Sequence, residues 1–183
     1  MPTLHTERLT LRPWTRADLP QLTTLCSDEE VMKHFPNTLS EEETERLLQR
    51  LTDSYEQRGY TYFACERKDT GAFIGFIGLL YQDYDSPCTP NVDIGWRLMS
   101  DAWGHGFATE GAKACLDFAF NTLKIDKVVS VCPETNAGSE KVMQRIGMTK
   151  GGAFKHPKLD AFPKIQTCLW YAIEPSDLTI QGK

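Results

Sequence analysis

The residues best suited to chemistry lie in one segment, residues 93–109, which reads DIGWRLMSDAWGHGFAT. An alternating strand pattern runs here into a turn that contains Gly104 and Gly106, and a helical pattern begins directly after the turn. Such a junction presents unpaired backbone N–H groups and the positive end of a helix dipole. Glycine lets the backbone approach a bound group closely, and Thr109 adds a hydroxyl donor. The segment therefore predicts a site for a phosphate or pyrophosphate.

Other interpretations of this turn exist. The same glycines suit a tight strand–helix connection that binds nothing. A dinucleotide-binding fold would need an acidic residue at the end of the next strand, where this chain has Ser130-Val131-Cys132. A P-loop would need Gly-Lys-Ser/Thr, which is absent from the sequence. The pattern thus disfavours a nucleotide-binding enzyme, while a purely steric turn stays open on these residues alone.

The surrounding elements mix strands with amphipathic helices. Alternating patterns predict strands at residues 8–12, 62–66, 72–80, 91–98, 127–132 and 165–173. Helical patterns follow Asp18, run from a capping box at Ser40 to Gly59, cover residues 108–123 and begin again at Asn136. Strands dominate early and alternate with helices later, which predicts an α/β fold with a mixed sheet and helices on both faces.

Composition narrows the class of protein. The 183 residues fit one ordinary domain, and 40% of them are hydrophobic. A net charge of −5 disfavours nucleic-acid binding and favours a cationic, amine-bearing partner. The scattered histidines and cysteines show neither metal-ligand spacing nor a disulfide framework. The sequence has no apolar leader and no run long enough for a membrane span, so we expect a cytoplasmic protein.

Four ordered motifs together resemble the GNAT superfamily of acetyltransferases. The branch they resemble is that of RimJ and RimL, the ribosomal-protein N-terminal acetyltransferases. The motifs are TERLTLR at residues 6–12, DIGW at 93–96, WGHGFATE at 103–110, and Asn136 and Ser139 followed by Ile146-Gly147-Met148. Trp103 departs from the Gln or Arg of the superfamily's Gln/Arg-x-x-Gly-x-Gly/Ala loop, and this departure is usual in the branch. The resemblance implies one GNAT domain over residues 1–183, with a strongly twisted mixed sheet of six to seven strands.

The resemblance also implies acetyl-CoA as cofactor, with no metal. Its pantetheine arm would pair with the backbone of Leu98, Met99 and Ser100. Its pyrophosphate would take backbone amides from His105, Gly106, Phe107, Ala108 and Thr109. Asn136 would hold the pantetheine, unless it is only a helix N-cap. Ser139 would contact CoA or protonate the leaving thiolate.

The implied reaction is acetyl transfer to a primary amine by direct attack, through a tetrahedral intermediate. An attacking amine must be neutral, so Asp93 is the candidate general base, directly or through water. The alternative is that Asp93 is a structural carboxylate. The acceptor is either a small-molecule amine or a protein N-terminus. On the same fold, the alternative function is a catalytically silent acyl-CoA-binding sensor or interaction module.

Two further expectations concern the surroundings of the site. We expect the acceptor pocket to come from residues 28–59 and 81–90, and its lining to draw on nearby aromatic side chains. The candidates are Phe35, Tyr60, Tyr62, Phe63, Tyr81, Tyr84 and Trp96. The resemblance implies a homodimer, since relatives in this branch are often dimeric.

Overall fold

One mixed sheet organises the chain. The computed structural model describes residues 2–180 and contains eight strands within them, in the order β1-β2-β3-β4-β5-β6-β8-β7. All neighbouring pairs are antiparallel except β5 and β6, which are parallel. The strands are β1 Leu4–His5, β2 Leu9–Arg12, β3 Tyr62–Arg67, β4 Phe73–Gln82, β5 Asn91–Leu98, β6 Val128–Pro133, β7 Thr149–Lys155 and β8 Thr167–Ile173.

The helices pack on both faces of the sheet, as the sequence predicts. They are α1 Leu19–Ser27, α2 Glu29–Met32, α3 Glu41–Arg58, α4 Phe107–Asp117, α5 Ala137–Arg145, α6 Pro163–Gln166 and α7 Pro175–Ile180. A π-helical turn, Phe118–Thr122, extends α4. The predicted limits of α3 are confirmed, because Ser40 and Glu43 form a capping box and Gly59 ends the helix at φ 77°. Among residues 2–180, no helix is long and apolar enough to cross a membrane.

Eight strands exceed the six to seven that were predicted. The two that the patterns missed are β1, which has only two residues, and β7, which reads TKGGAFK and lacks apolar alternation. Its Gly151 lies under the Trp170 ring of β8, so closely that a Cβ there would come within 2.2 Å of the ring. A glycine that a neighbouring tryptophan covers leaves no periodic signal in the sequence.

Two hydrophobic clusters fix the sheet between its helices. The larger cluster joins one face to α4 and α5, and includes Ile77, Ile94, Leu116 and Met143. The smaller one joins the other face to α1 and α3. Residues of β5 alternate between these faces, so that Val92, Ile94 and Leu98 pack in the larger cluster while Arg97 contacts Phe76 of the smaller one.

Strands β5 and β6 separate soon after they pair. Their ladder contains only Val92↔Val128 and Asp93↔Val129. In a continued parallel ladder, the Val131 N–H would next donate to the Ile94 carbonyl. Instead, the Val131 N–H donates to the Asp93 carboxylate. The Ile94 carbonyl accepts from Ser130 Oγ at 2.8 Å. The side chains of Asp93 and Ser130 thus satisfy the two backbone groups that the ladder no longer pairs, and the strands diverge beyond this point.

Replacing Ser130 with alanine tests this substitution of bonds. Ser130→Ala leaves the buried Ile94 carbonyl without a donor, and we expect the free energy of unfolding to fall by about 1–3 kcal/mol. Urea denaturation measures the change. Ser27→Ala is the control, because Ser27 Oγ donates to the Thr24 carbonyl at an exposed site where water replaces it. An equal loss in both variants would mean that the Ser130 bond contributes nothing specific.

Candidate active site

A cavity of about 540 Å³ occupies the gap between the diverging strands. It extends from the N-terminus of α4, past the β5–β6 divergence, to side chains of α2, of α3 and of the segment between them on the other face. Most of the residues singled out in the sequence line it. These are Asp93, Leu98, Gly106, Phe107, Ala108, Thr109, Asn136 and Ser139.

Three of the residues singled out lie elsewhere. Met99 and Ser100 line a separate recess beside Arg67 and Asp101. The Met99 N–H is already committed to β4, since it donates to the Ile74 carbonyl at 2.9 Å. His105 does not line the cavity, and its carbonyl accepts from Arg8 Nη1 at 3.0 Å.

The backbone of β5 leaves a specific set of groups facing the cavity. Because Met99 bonds Ile74, the register with β4 makes Arg97, Gly95 and Asp93 the residues that bond that strand. Trp96 and Leu98 then direct their N–H and C=O groups towards β6, where the ladder has ended. Trp103 Nε1 donates to the Leu98 carbonyl at 2.9 Å. The Leu98 N–H and both polar groups of Trp96 therefore face the gap as an unpaired strand edge.

The predicted anion loop ends at the N-terminus of α4. Gly106 is the N-cap residue at φ 80°, a conformation that favours glycine. The first intrahelical bond runs from the Glu110 N–H to the Gly106 carbonyl, so the amides of Phe107, Ala108 and Thr109 have no helical partner. These amides and the helix dipole together form a positive concavity at one end of the cavity.

The start of the chain holds this loop in place. The Glu110 carboxylate accepts from Thr6 Oγ1 at 2.5 Å, from the Arg8 N–H at 2.8 Å and from Arg8 Nε at 2.6 Å. The Arg8 guanidinium also lies 4.6 Å from the centre of the Phe107 ring. This explains physically why the first and third motifs of the sequence occur together. Their residues form one contact that fixes the first turn of α4.

Asp93 is the one acidic side chain among the residues that line the cavity. Its carboxylate is buried and accepts hydrogen bonds from the Tyr62 hydroxyl and the Val131 N–H. Burial raises the pKa of Asp93 to about 7, although both hydrogen bonds favour the charged form. The carboxylate can therefore exchange a proton near neutral pH. Burial and the nearby Asp93 carboxylate keep the pKa of Tyr62 well above its usual value, so the phenol stays a donor.

Sequence reasoning named Tyr62 only as one of several candidate pocket aromatics. The ring of Tyr62 stacks on Phe76 at 5.5 Å between centroids and reaches Asp93 across two glycines, Gly78 and Gly95. A Cβ at Gly95 would lie 3.0 Å from the Tyr62 hydroxyl, so a larger residue there would displace the phenol. Both glycines are visible in the sequence, but only the strand register places them beside Tyr62.

The far half of the cavity is lined from α2, α3 and the segment between them. Val31, His34, Phe35, Leu47 and Arg50 contribute, all within the predicted range of residues 28–59. No residue of 81–90 lines it, so the loop expected there does not contribute. Among the candidate aromatics, Phe35, Tyr62 and Trp96 line the cavity, while Tyr60, Phe63, Tyr81 and Tyr84 do not.

The mixed sheet, its divergent strands and the predicted anion loop are the features expected of a GNAT acetyltransferase, and comparison with known families gives the same class. The family model for the acetyltransferase (GNAT) domain matches residues 8–149. The chain belongs to the GNAT family of N-acetyltransferases.

Individual relatives are moderately similar. An uncharacterized N-acetyltransferase of Bacillus subtilis, YoaA, is 24% identical, over 96% of this chain and 99% of the relative. An acetyltransferase structure from Agrobacterium tumefaciens is 29% identical with a TM-score of 0.78, and the match covers 95% of each chain. RimL, a ribosomal L7/L12 α-N-protein acetyltransferase solved with coenzyme A, shares the fold at 20% identity, with a TM-score of 0.75 over 94% of this chain and 98% of that one.

The raised pKa of Asp93 predicts a stability effect that needs no activity assay. Between about pH 4 and pH 7 the unfolded chain ionises this carboxyl while the folded protein keeps it neutral, so folding loses stability as pH rises. Asp93→Asn removes this loss. We expect the free energy of unfolding of the variant to rise relative to that of the wild type across this range, by up to about 4 kcal/mol. Above pH 7 the difference between the two proteins should stay constant.

Thermal unfolding of both proteins from pH 4 to pH 9 measures this difference. Asp69→Asn is the control. The Arg67 guanidinium holds the pKa of Asp69 below its usual value, so above about pH 5 this carboxyl is ionised in both the folded and the unfolded chain, and the difference between Asp69→Asn and the wild type should not change with pH. A difference between Asp93→Asn and the wild type that does not change with pH would contradict the raised pKa.

Proposed function

We propose that the protein transfers the acetyl group of acetyl-CoA to a primary amine. The observation that carries this proposal is that one cavity holds an anion loop at one end, an unpaired strand edge beside it and a buried carboxylate of pKa about 7 within it. The far half of the cavity leaves room for an acceptor. Acetyl-CoA, when bound, would supply an activated thioester that a neutral amine attacks directly.

The residues present fit this cofactor. The amides of Phe107, Ala108 and Thr109 suit a pyrophosphate, because they are unpaired and lie at the positive end of α4. The strand edge at Trp96 and Leu98 suits the amide groups of a pantetheine arm, which would extend the sheet where β6 has moved away. Its position moves the proposed pantetheine contacts from residues 98–100 towards residues 96–98.

Asn136 and Ser139 complete the cofactor side. The Asn136 Oδ1 accepts from the Ser139 N–H at 3.1 Å, so its oxygen caps α5. The capping bond orients the Asn136 amide group and leaves its N–H donors for the pantetheine. The Ser139 side chain lies at the same cavity wall, where we assign it a contact with CoA. Its role as an acid is minor in this account, since a CoA thiolate leaves readily at neutral pH.

Asp93 acts in this proposal as the general base. Its carboxylate must be ionised to accept the proton of the attacking amine, directly or through a water molecule. Tyr62 is a positioning residue that donates to the carboxylate and favours the ionised form. The Trp96 N–H, the unpaired donor of this strand edge that lies nearer to Asp93, is the proposed donor to the thioester oxygen, where negative charge develops during the reaction.

The silent binding module is the weaker alternative. Such a protein would need the anion loop but neither an ionisable base nor space beyond it, and this cavity offers both. A screen of primary amines with acetyl-CoA, in which released thiol is measured, tests the enzyme directly. Turnover with any amine supports the proposal. Absence of thiol release with every amine, from protein shown to bind CoA, would favour the silent module.

A substitution in the anion loop tests the cofactor site. Gly106→Val adds a β-branched side chain at a backbone position with φ 80°, at the mouth of the loop. We expect the affinity for CoA to fall at least about tenfold, because the side chain blocks the approach of a phosphate to the α4 amides. Calorimetric titration with CoA measures this affinity.

The matched control is Gly71→Val. Gly71 has φ 69° and, like Gly106, no crowding by backbone, so the strain is similar, but it lies in the β3–β4 turn away from the cavity. We expect unchanged CoA affinity in this variant. If folded Gly106→Val bound CoA with the same affinity as the wild type, the CoA phosphates would not bind at this loop.

The pH dependence of kcat/KM tests the base. Asp93→Asn should reduce kcat/KM for an amine by about 10²-fold with little change in CoA affinity. The acidic limb of the wild-type profile should lie near the pKa of Asp93, at about 7. Tyr62→Phe removes a hydrogen bond that lowers this pKa, so the limb should move to higher pH, while the ring still stacks on Phe76.

Tyr171→Phe is the matched control for the pH profile. Tyr171 is buried and, like Tyr62, donates to a carboxylate, that of Glu140 at 2.7 Å, but it does not line the cavity. Its loss should leave the acidic limb in place. The acidic limb of the profile would belong to a group other than Asp93 if it stayed at the same pH in Tyr62→Phe, or if it moved equally in both variants.

A further inference from the structure

The far half of the cavity contains a guanidinium, that of Arg97, which forms no ion pair with any residue that the structure describes. Arg97 lies on β5, on the same face as Asp93, and its side chain lines the cavity. The guanidinium carbon lies 4.1 Å from the centre of the Phe35 ring and 5.1 Å from that of Phe76. These two aromatic rings hold the guanidinium group in one position.

The polar contacts of Arg97 are few. Its Nη1 donates to the Cys26 sulfur at 3.1 Å, while its Nε is buried and has no hydrogen-bond partner in the described structure. No carboxylate among residues 2–180 forms an ion pair with it. Burial raises the pKa of Cys26, so the thiol is neutral and supplies no counter-charge. An always-charged side chain that is half-buried in this state, with its Nε unpartnered, costs free energy.

A second cation lies nearby. Arg50 of α3 lines the same half of the cavity and forms no ion pair within residues 2–180. Burial lowers the pKa of Arg97, and the positive charge of Arg50 adds to this effect. Over the whole cavity, the charged lining residues are Lys33, Arg50, Arg97, Lys141 and Arg145 against Asp93 alone. The lining of the cavity is thus positively charged, although the net charge of the chain is −5. The net charge had suggested a cationic partner, which this lining would repel.

We propose that Arg97, assisted by Arg50, binds a carboxylate of the acceptor while the acceptor's amine points to Asp93. The inference rests on the proposed function, because it concerns the acceptor of the same reaction. Arg97 and Asp93 are four residues apart on one strand face, about 13 Å between their Cα atoms. The amine and the carboxylate of the acceptor are therefore separated by several bonds. An ω-amino acid and a peptide N-terminus followed by an acidic residue both meet this requirement, whereas a polycationic amine is repelled.

Two isosteric pairs of acceptors test the inference, and within each pair only the charge differs. One pair is 6-aminohexanoate and 6-aminohexanamide, and the other is the peptide Ser-Glu-Ala-amide and its Ser-Gln-Ala counterpart. In at least one pair, the wild type should favour the carboxylate by about tenfold or more in kcat/KM, as expected for a charge-assisted bond. The pair that shows this preference identifies which source supplies the carboxylate.

Arg97→Gln should reduce that preference to within about twofold, mainly through KM, because the carboxylate is remote from the reacting atoms. The thermal midpoint of Arg97→Gln should not fall, since the substitution removes a half-buried charge that forms no ion pair within residues 2–180. Arg46→Gln is the control, with the same charge change on the outer side of α3, where Arg46 pairs with Glu42. It should keep the wild-type preference.

Several results would overturn the inference. They are equal kcat/KM within both pairs, an equal loss for both members of a pair in Arg97→Gln, or a large fall in that variant's thermal midpoint. Absence of turnover with all four probes, by protein that binds CoA and acetylates another amine, would also overturn it. Absence of CoA binding by the wild type would contradict the proposed function instead.

Discussion

The structure depends on how the β5–β6 ladder ends. At this point the Val131 N–H and the Ile94 carbonyl are no longer bonded to each other, and buried backbone groups cost free energy when they are unpaired. The Asp93 carboxylate takes the Val131 N–H, and Ser130 Oγ serves the Ile94 carbonyl. The strands can therefore diverge without leaving either group unsatisfied. The divergence opens the cavity and exposes the edge of β5 at Trp96 and Leu98.

The same arrangement sets the chemistry of Asp93. A carboxylate that replaces a backbone bond inside a sheet must be buried, and burial raises its pKa to about 7. The hydrogen bond from Tyr62 favours the ionised form, so the carboxylate remains a base near neutral pH. The structural and catalytic roles that the sequence left as alternatives for Asp93 are therefore compatible. One side chain closes the end of the ladder and is poised to accept a proton.

Local signals predicted much of this molecule. The cap at Ser40, the glycines at 59 and 106 and the cap at Asn136 each depend on a few neighbouring residues, and the structure has them as predicted. Long-range pairing was not predictable. Tyr62 reaches Asp93 only because the register aligns it with Gly78 and Gly95, and Arg97 had the pattern of an ordinary polar strand residue. The short β1 and the glycine-rich β7 lacked periodicity, so the sheet has more strands than expected.

Amide hydrogen exchange, measured residue by residue by NMR with and without saturating CoA, tests the central claim most directly. That claim is that the cofactor occupies the gap as an added strand on β5. The amides of Trp96 and Leu98 should gain protection, together with those of Phe107, Ala108 and Thr109. The amides of Gly95 and Arg97, which already face β4, should change little. Saturating CoA that leaves the Trp96 and Leu98 amides unprotected would contradict the account.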